Sequence, residues 1–178
     1  APAATAAEGA VMRQVVLDTE TSGLDPLTAE VVQFARVAQQ PGNCFTEWVR
    51  PKGRVNESVH IHGLTDEFLA EHGKDAREVL ERGLQFETGQ VLLGHNVEFD
   101  LCLLRNHAAR LGFQPGFPIS FDTMPLAAAV LSKEELTGLR LEMVAKVLGV
   151  ELSKAHDAEA DARGCLAVLE RLLPRIME

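Results

Sequence analysis

The stretch Val15-Val16-Leu17-Asp18-Thr19-Glu20-Thr21 places two carboxylates at the end of an apolar, β-branched run. Such a run is typical of a buried central strand. Side chains two residues apart on a strand point to the same face, so Asp18 and Glu20 are expected to converge on one spot. Two anionic groups at the edge of a core are costly unless a positive charge joins them. The stretch therefore predicts a central strand that ends at a divalent-cation site.

Length and composition indicate one globular domain, since the 178 residues are 46% hydrophobic. We expect a single domain over residues 11–178. Residues 1–10 lack the basic start and the apolar middle of a signal peptide, and we expect a flexible tail or a leftover of cloning there. The longest uncharged apolar run, residues 126–131, is too short to cross a bilayer. The 3 cysteines match neither a zinc-site spacing nor a disulfide framework, which predicts a reduced, cytoplasmic protein.

The net charge of −9 argues against broad, sequence-independent affinity for a phosphate backbone. Charge alone therefore favours classes of protein other than nucleic-acid binders. A function on nucleic acid would have to be local and assisted by a metal ion.

The order of hydrophobic patterns predicts an α/β protein with a mixed sheet. Strands are expected at residues 11–18, 30–39, 44–50, 91–94 and 118–121, with a hairpin turn at 41–43. Helices are expected at residues 76–84, 97–111, 123–131, 139–148 and 158–173. Residues 56–70 are expected to be rich in loops.

Two further carboxylates lie on the apolar faces of predicted helices. Asp100 follows Val97 by three residues and precedes Leu104 by four, so it shares their buried face. Asp161 has the same spacing in the helix predicted at 158–173. The alternative in both cases is an ordinary acid in the first turn, favoured by the helix dipole.

His156 precedes Asp161 by five residues, which is about 140° of helical rotation, so the two would not share a face if both were helical. Asp157 is a candidate N-cap, which leaves His156 on a loop from which it could reach the same centre. An exposed loop histidine without a function is the alternative.

Together, these residues form a set with one coherent chemistry. Oxygen ligands without cysteine suit Mg²⁺ or Mn²⁺. Four carboxylates can hold two such ions about 3.5–4 Å apart, where one activates an attacking water and the other neutralises the leaving oxygen. An imidazole, which titrates near ~6.5, is suited to accept the proton of that water. The set predicts phosphodiester hydrolysis.

Three segments resemble the exonuclease motifs of the DEDDh 3′→5′ exonucleases. They are residues 18–24 (Asp-Thr-Glu-Thr-Ser-Gly-Leu), 95–100 (His-Asn-Val-Glu-Phe-Asp) and 156–162 (His-Asp-Ala-Glu-Ala-Asp-Ala). Residues 62–69 (His-Gly-Leu-Thr-Asp-Glu-Phe-Leu) resemble the segment between the first and second motifs. The resemblance spans residues 11–172, and within the family it is strongest to the proofreading epsilon subunits of bacterial DNA polymerase III.

The resemblance implies a ribonuclease-H-like fold with a five-stranded mixed sheet flanked by helices. It assigns metal binding to Asp18, Glu20, Asp100 and Asp161, and the role of general base to His156. It also implies contacts to the terminal nucleotide by Thr21, Leu24, Ile61, His62 and Phe99. Core packing is the alternative for Phe99, and a bond to a loop carbonyl is the alternative for His62.

The remaining histidines are expected to have lesser roles. His95, with Asn96, is expected to orient neighbouring groups rather than bind metal. His60, His72 and His107 are expected to lie at the surface.

The expected activity is removal of nucleotides from the 3′ end of single-stranded or frayed DNA, with two Mg²⁺ or Mn²⁺ ions, in proofreading or repair. The alternatives are an exoribonuclease acting on RNA ends or short oligoribonucleotides, and an inactive docking module that binds a polymerase or helicase. The chain stops at Glu178 without the polymerase-binding tail of epsilon subunits. A DNA polymerase subunit therefore stays open as a partner, because the tail has been removed, or the enzyme stands alone or is attached to a partner in a different way.

Overall fold

The secondary structure follows the predicted order of elements, apart from two additional helices within residues 59–72. A computed structural model describes residues 13–39, 44–53 and 56–176, so the expected tail and the turn at 41–43 lie outside the described residues. The strands are β1 (Arg13–Thr21), β2 (Val31–Ala38), β3 (Cys44–Trp48), β4 (Gln90–Gly94) and β5 (Ser120–Asp122). The helices are α1 (Val59–His62), α2 (Asp66–His72), α3 (Ala76–Gly83), α4 (Val97–Arg110), α5 (Thr123–Val130), α6 (Leu141–Leu148) and α7 (Ala158–Ile176). No helix within these described ranges is both long enough and apolar enough to span a membrane.

The five strands form one mixed sheet in the order β3-β2-β1-β4-β5. Strand β1 pairs antiparallel with β2 and parallel with β4, while β2–β3 is antiparallel and β4–β5 is parallel. The predicted central position of β1 and the mixed sheet are both confirmed. Because β1 and β4 run in the same direction, they end at the same edge of the sheet, and β2 begins there.

The alternation of side chains along β1 divides the core into two layers. Leu17 packs in the layer covered by α3 and α4. Val16 packs in the opposite layer, which is covered by α7. Asp18 and Glu20 continue the Val16 side of the strand, so they face the layer of α7.

Helices α1 and α2 lie in the segment that was expected to be rich in loops, so that prediction is wrong. Helix α2 buries only Leu69, and one buried residue leaves no helical period in the sequence. The side chain of Thr65 caps this helix by accepting the backbone N–H of Phe68 at 3.2 Å. The cap and two acids in the first turn form a helix start that apolar periodicity alone misses.

His107 is buried, so the prediction that it lies at the surface is wrong. Its Nδ1 atom accepts the backbone N–H of Val31 at 3.1 Å, which joins α4 to the start of β2. Burial lowers the pKa of His107 to about 4, so the ring is neutral and can act as this acceptor.

Candidate active site

Asp18 and Glu20 lie near the end of β1, on the side of the sheet that α7 covers. Asp18 is paired with Ala35 and Glu20 with Gln33 in the antiparallel ladder to β2. The register shifts between Glu20 and Thr21, so regular pairing ends directly after the second carboxylate. Glu20 is 8% exposed and Asp18 is half-buried. The predicted convergence of the two side chains on one face is confirmed.

Asp161 and His156 are placed by the turn that starts α7. Asp157 accepts the backbone N–H of Ala160 at 3.2 Å with its Oδ1 atom, which confirms it as the N-cap. His156 lies before the helix, as predicted, with a φ of 59° in the left-handed region. Its backbone N–H donates to Oδ2 of Asp161 at 3.0 Å. One ligand atom from each of Glu20, His156 and Asp161 lies within 4.8 Å of the others, a group that could hold a metal ion.

Asp100 reaches the site from the other layer of the molecule. It lies in the first turn of α4 and is buried on the face of Val97 and Leu104, as predicted. The hydroxyl of Thr19 donates to Oδ1 of Asp100 at 2.6 Å. Because Thr19 lies between Asp18 and Glu20, this bond ties the start of α4 to the end of β1.

Burial raises the pKa values of all four carboxylates, and the charges of neighbouring acids add to each shift. Burial, followed by the charges of Asp100, Asp161 and Glu20, raises the pKa of Asp18 well above its ordinary value. Burial and then the charge of Asp161 raise the pKa of Glu20 to about 8. Burial raises the pKa of Asp100 to about 7, although the bond from Thr19 opposes the shift.

Asp161 follows the same trend, since burial raises its pKa to about 6 while the N–H of His156 opposes the shift. Negative charge is therefore concentrated where β1, α4 and α7 meet. Protons or cations have to neutralise that charge.

His95 supports the site without joining the acid cluster. One ring nitrogen, Nδ1, is 2.9 Å from the Thr123 hydroxyl, and the other, Nε2, is 2.6 Å from the Leu139 carbonyl. The ring thus connects the end of β4 with the start of α5 and with the segment before α6. The expectation that His95 orients neighbouring groups agrees with this geometry.

Asp122 is a second supporting residue, which the sequence analysis missed. Its carboxylate accepts the backbone N–H groups of Asn96 at 2.8 Å, Val97 at 3.2 Å and Met124 at 2.9 Å. It therefore caps the starts of both α4 and α5. An aspartate directly before a predicted helix is an N-cap signal, and that signal could have identified it.

The five residues expected to contact a nucleotide lie in three segments near the end of β1 and the start of α4. Leu24 is 76% exposed, Ile61 is at the surface, and Phe99 is half-buried, whereas Thr21 and His62 are buried. The hydroxyl of Thr21 donates to the carbonyl of Gly23 at 2.7 Å. Contact with a nucleotide stays a prediction for all five.

His62 lies close to the acid cluster. Its Nδ1 atom accepts the backbone N–H of Leu64 at 3.0 Å, while its buried Nε2 atom has no hydrogen-bond partner within the described part of the chain. Burial lowers the pKa of His62, and the nearby charge of His156 adds to that shift. The bond from a loop N–H differs from the predicted alternative, a bond to a loop carbonyl, which stays a prediction.

Solved structures define the class to which this fold belongs. Escherichia coli Exonuclease I in complex with a dA16 oligonucleotide has a TM-score of 0.78 and 24% sequence identity, over 92% of this chain and 41% of that chain. A moderately thermophilic Exonuclease I from Methylocaldum szegediense has a TM-score of 0.67 and 27% identity, over 90% of this chain and 40% of that chain. The predicted ribonuclease-H-like exonuclease fold is confirmed.

Sequence comparison then gives the family. Residues 15–169 match the model of the exonuclease family, RNase T. The chain belongs to this exonuclease family, and the predicted resemblance to DEDDh-type 3′→5′ exonucleases is confirmed.

Curated relatives include DNA polymerase III PolC-type from Thermotoga maritima, 32% identical over 164 residues, and its counterpart from Oceanobacillus iheyensis, 29% identical over 171 residues. These alignments cover 89% and 92% of this chain, respectively. In each case the chain spans only 12% of the relative's own length.

Proposed function

We propose that this chain is a divalent-metal-dependent 3′→5′ exonuclease acting on single-stranded or frayed DNA. It hydrolyses the terminal phosphodiester bond and releases nucleoside 5′-monophosphates. The observation that carries the proposal is the meeting of four carboxylates from β1, α4 and α7, all with raised pKa values, beside a histidine. The proposed catalytic residues are Asp18, Glu20, Asp100, Asp161 and His156.

The donor set of this cluster fits Mg²⁺ or Mn²⁺. Carboxylate oxygens dominate it, and the atoms of Glu20, His156 and Asp161 are already within 4.8 Å of one another. We assign two ions to Asp18, Glu20, Asp100 and Asp161, because four buried or half-buried acids carry more charge than one divalent ion balances. When bound, the ions would supply the Lewis-acid chemistry that activates water and neutralises a leaving oxygen.

His156 is the proposed general base. The hydrogen bond from His156 to Asp161 uses the backbone N–H of the histidine, so it occupies neither ring nitrogen. The side chain is exposed at the mouth of the cluster, where it can accept the proton of an attacking water and pass it to solvent.

DNA is the favoured substrate because of the relatives. Exonuclease I of Escherichia coli has been solved with dA16 and with dT13 oligonucleotides, and the curated relatives are PolC-type DNA polymerases. These names also support a link to a polymerase and a role in proofreading or repair. Thr21, Leu24, Ile61, His62 and Phe99 are proposed to hold the terminal nucleotide. Phe99 would contribute by base stacking, worth ~1–3 kcal/mol.

Digestion of a 5′-labelled single-stranded DNA oligonucleotide tests the proposal. A ladder of products shortened from the 3′ end is expected with Mg²⁺ or Mn²⁺, and none with EDTA. Full activity in EDTA would reject the proposal. An RNA oligonucleotide of the same sequence, digested faster than the DNA, would favour the exoribonuclease alternative.

If the folded protein cleaves neither the DNA nor the RNA oligonucleotide in the presence of the ions, the inactive docking module is favoured. A cytoplasmic location stays a prediction.

A further inference from the structure

Gln33 is a buried polar residue in the apolar run of β2, with an exposed fraction of 2%. It lies opposite Glu20 on β1 and opposite Trp48 on β3, so the three side chains form one row on the α7 side of the sheet. A buried amide needs hydrogen-bond partners. Its partners identify what Gln33 supports.

Both polar atoms of the Gln33 amide are directed at the start of α7. The Oε1 atom accepts the backbone N–H of Ala158 at 3.2 Å, and the Nε2 atom is 3.5 Å from Oδ2 of Asp157. The first N–H groups of a helix have no partner within the helix. Gln33 therefore supplies, from the sheet, an acceptor that this helix start lacks.

The backbone held by Gln33 is the segment that carries two of the proposed catalytic residues. His156 lies two residues before Ala158, and Asp161 follows in the first turn, where its N–H donates to the carbonyl of Asp157 at 2.9 Å. His156 has a left-handed backbone, which persists only where the surrounding contacts hold it. A shift at Ala158 would move both residues away from Glu20.

Thr46 on β3 also contacts this helix start, but in a different way. Its hydroxyl donates to Oε2 of Glu159 at 2.8 Å. The Glu159 carboxylate also accepts a hydrogen bond from Arg163 at 2.7 Å, and the side chain of Glu159 can rotate. The bond from Thr46 thus ends on a flexible side chain, whereas the bond from Gln33 ends on the backbone.

We propose that Gln33 is a positioning residue, which sets the distance of His156 and Asp161 from Glu20 by holding the backbone of Ala158. The role in catalysis rests on the proposed function, while the role in the metal-free fold does not. A neutral amide can do this without adding a further negative charge to the acid cluster.

Three variants test the proposal. Gln33→Met keeps the volume and removes the acceptor, Gln33→Glu keeps an acceptor, and Thr46→Val removes the contact that ends on a side chain. Three readouts apply to each: hydrogen exchange of the Ala158 amide in metal-free protein, Mn²⁺ affinity by calorimetric titration, and kcat and KM on a single-stranded DNA oligonucleotide. All are measured below the unfolding transition of each variant.

Gln33→Met is expected to lose protection of the Ala158 amide, to bind Mn²⁺ more weakly, and to lower kcat at least ~10-fold with little change in KM. A misplacement of about 1 Å can cost ~100-fold in rate. Gln33→Glu keeps an acceptor, so it is expected to retain protection of the Ala158 amide. Thr46→Val is expected to leave all three properties at the level of the parent.

Unchanged Ala158 exchange or unchanged Mn²⁺ affinity in Gln33→Met would overturn the proposal. Equal losses in Thr46→Val would do the same, since any contact to α7 would then suffice. If the parent protein binds Mn²⁺ but cleaves no DNA, the proposed function fails. The amide exchange and the Mn²⁺ affinities then still decide whether Gln33 positions the site.

Discussion

Individual residues in the cluster combine two tasks, and Asp161 shows this most clearly. Its carboxylate accepts the backbone N–H of His156, and one of its oxygens also lies within 4.8 Å of a Glu20 oxygen. A carboxylate has four lone-pair positions, so it can hold a loop and still bind a cation. The position of the histidine therefore depends on a proposed metal ligand, whereas the acids do not depend on the imidazole.

From this asymmetry we expect His156→Ala to lower kcat by a factor of ~10²–10⁴, the range of a lost general base. Mn²⁺ affinity should stay close to that of the parent, because all four carboxylates remain. Single-turnover cleavage and calorimetric titration measure the two quantities. The control is His60→Ala, since His60 is exposed and its Nδ1 atom contacts the carbonyl of Glu57.

Cleavage by His156→Ala at the rate of the parent would show that this residue is not the base. A parallel loss of Mn²⁺ affinity would instead make the imidazole a metal ligand.

At the scale of secondary structure elements, the two helices that carry acids share an unusual start. Asn96, at the start of α4, and His156, just before α7, both have left-handed backbones, with φ values of 64° and 59°. Within the described part of the chain, the side chain of Asn96 makes no capping hydrogen bond to α4. Asp122 from β5 takes that role for α4, as Gln33 from β2 assists α7. Side chains of the sheet thus complete both helix starts and bring Asp100 and Asp161 to one edge.

We expect Asp122→Ala to lower the free energy of unfolding by ~1–2 kcal/mol, the usual cost of a lost cap. It should also weaken Mn²⁺ binding, because the first turn of α4 carries Asp100. Urea unfolding and calorimetric titration measure the two effects.

The matched control is Asp75→Ala. Asp75 caps α3 by accepting the N–H groups of Arg77 at 2.9 Å and Glu78 at 3.3 Å, and none of the proposed site residues lies on α3. A similar loss of stability with unchanged Mn²⁺ affinity is expected there. If Asp122→Ala also keeps the Mn²⁺ affinity of the parent, the cap has no part in placing Asp100.

For the whole molecule, we expect the acid cluster to couple folding to pH and to metal ions. The folded pKa values of Asp161, Asp100 and Glu20 are about 6, 7 and 8, above their ordinary values of 3.8, 3.8 and 4.5. The folded state thus binds more protons than the unfolded state between these limits, and its stability falls as the pH rises. Buried His107 acts in the opposite direction, because its pKa is lowered from 6.5 to about 4, so stability is lost as the pH falls through that range.

Metal-free protein is therefore expected to be less stable at pH 8 than at pH 5.5 or so, by urea unfolding in EDTA. Mn²⁺ should restore stability at the higher pH and have a smaller effect at the lower pH, where protons compete for the same oxygens. Asp18→Asn removes one charge from the cluster, so in EDTA at the higher pH it should be more stable than the parent. Equal stability of the parent at both pH values would contradict the raised pKa values of these acids.

Local sequence alone was enough to predict the central strand and the faces of the strand and helices on which the acids lie. Asp18 and Glu20 share a face because the strand period is two, and Asp100 and Asp161 lie on the inner sides of their helices because the helix period is 3.6. The place of His156 outside α7 follows from the capping signal of Asp157. Each of these inferences uses residues only a few positions apart.

The tertiary structure alone decided what holds these groups together. Gln33 meets Ala158 across 125 positions of the chain, Thr19 meets Asp100 across 81, and His107 meets Val31 across 76. No period in the sequence relates such distant residues, because a buried donor takes whichever acceptor the packing of layers brings near it. The sequence could therefore identify the acids as candidate site residues. The contacts that set the distances between them exist only once the sheet and helices have packed.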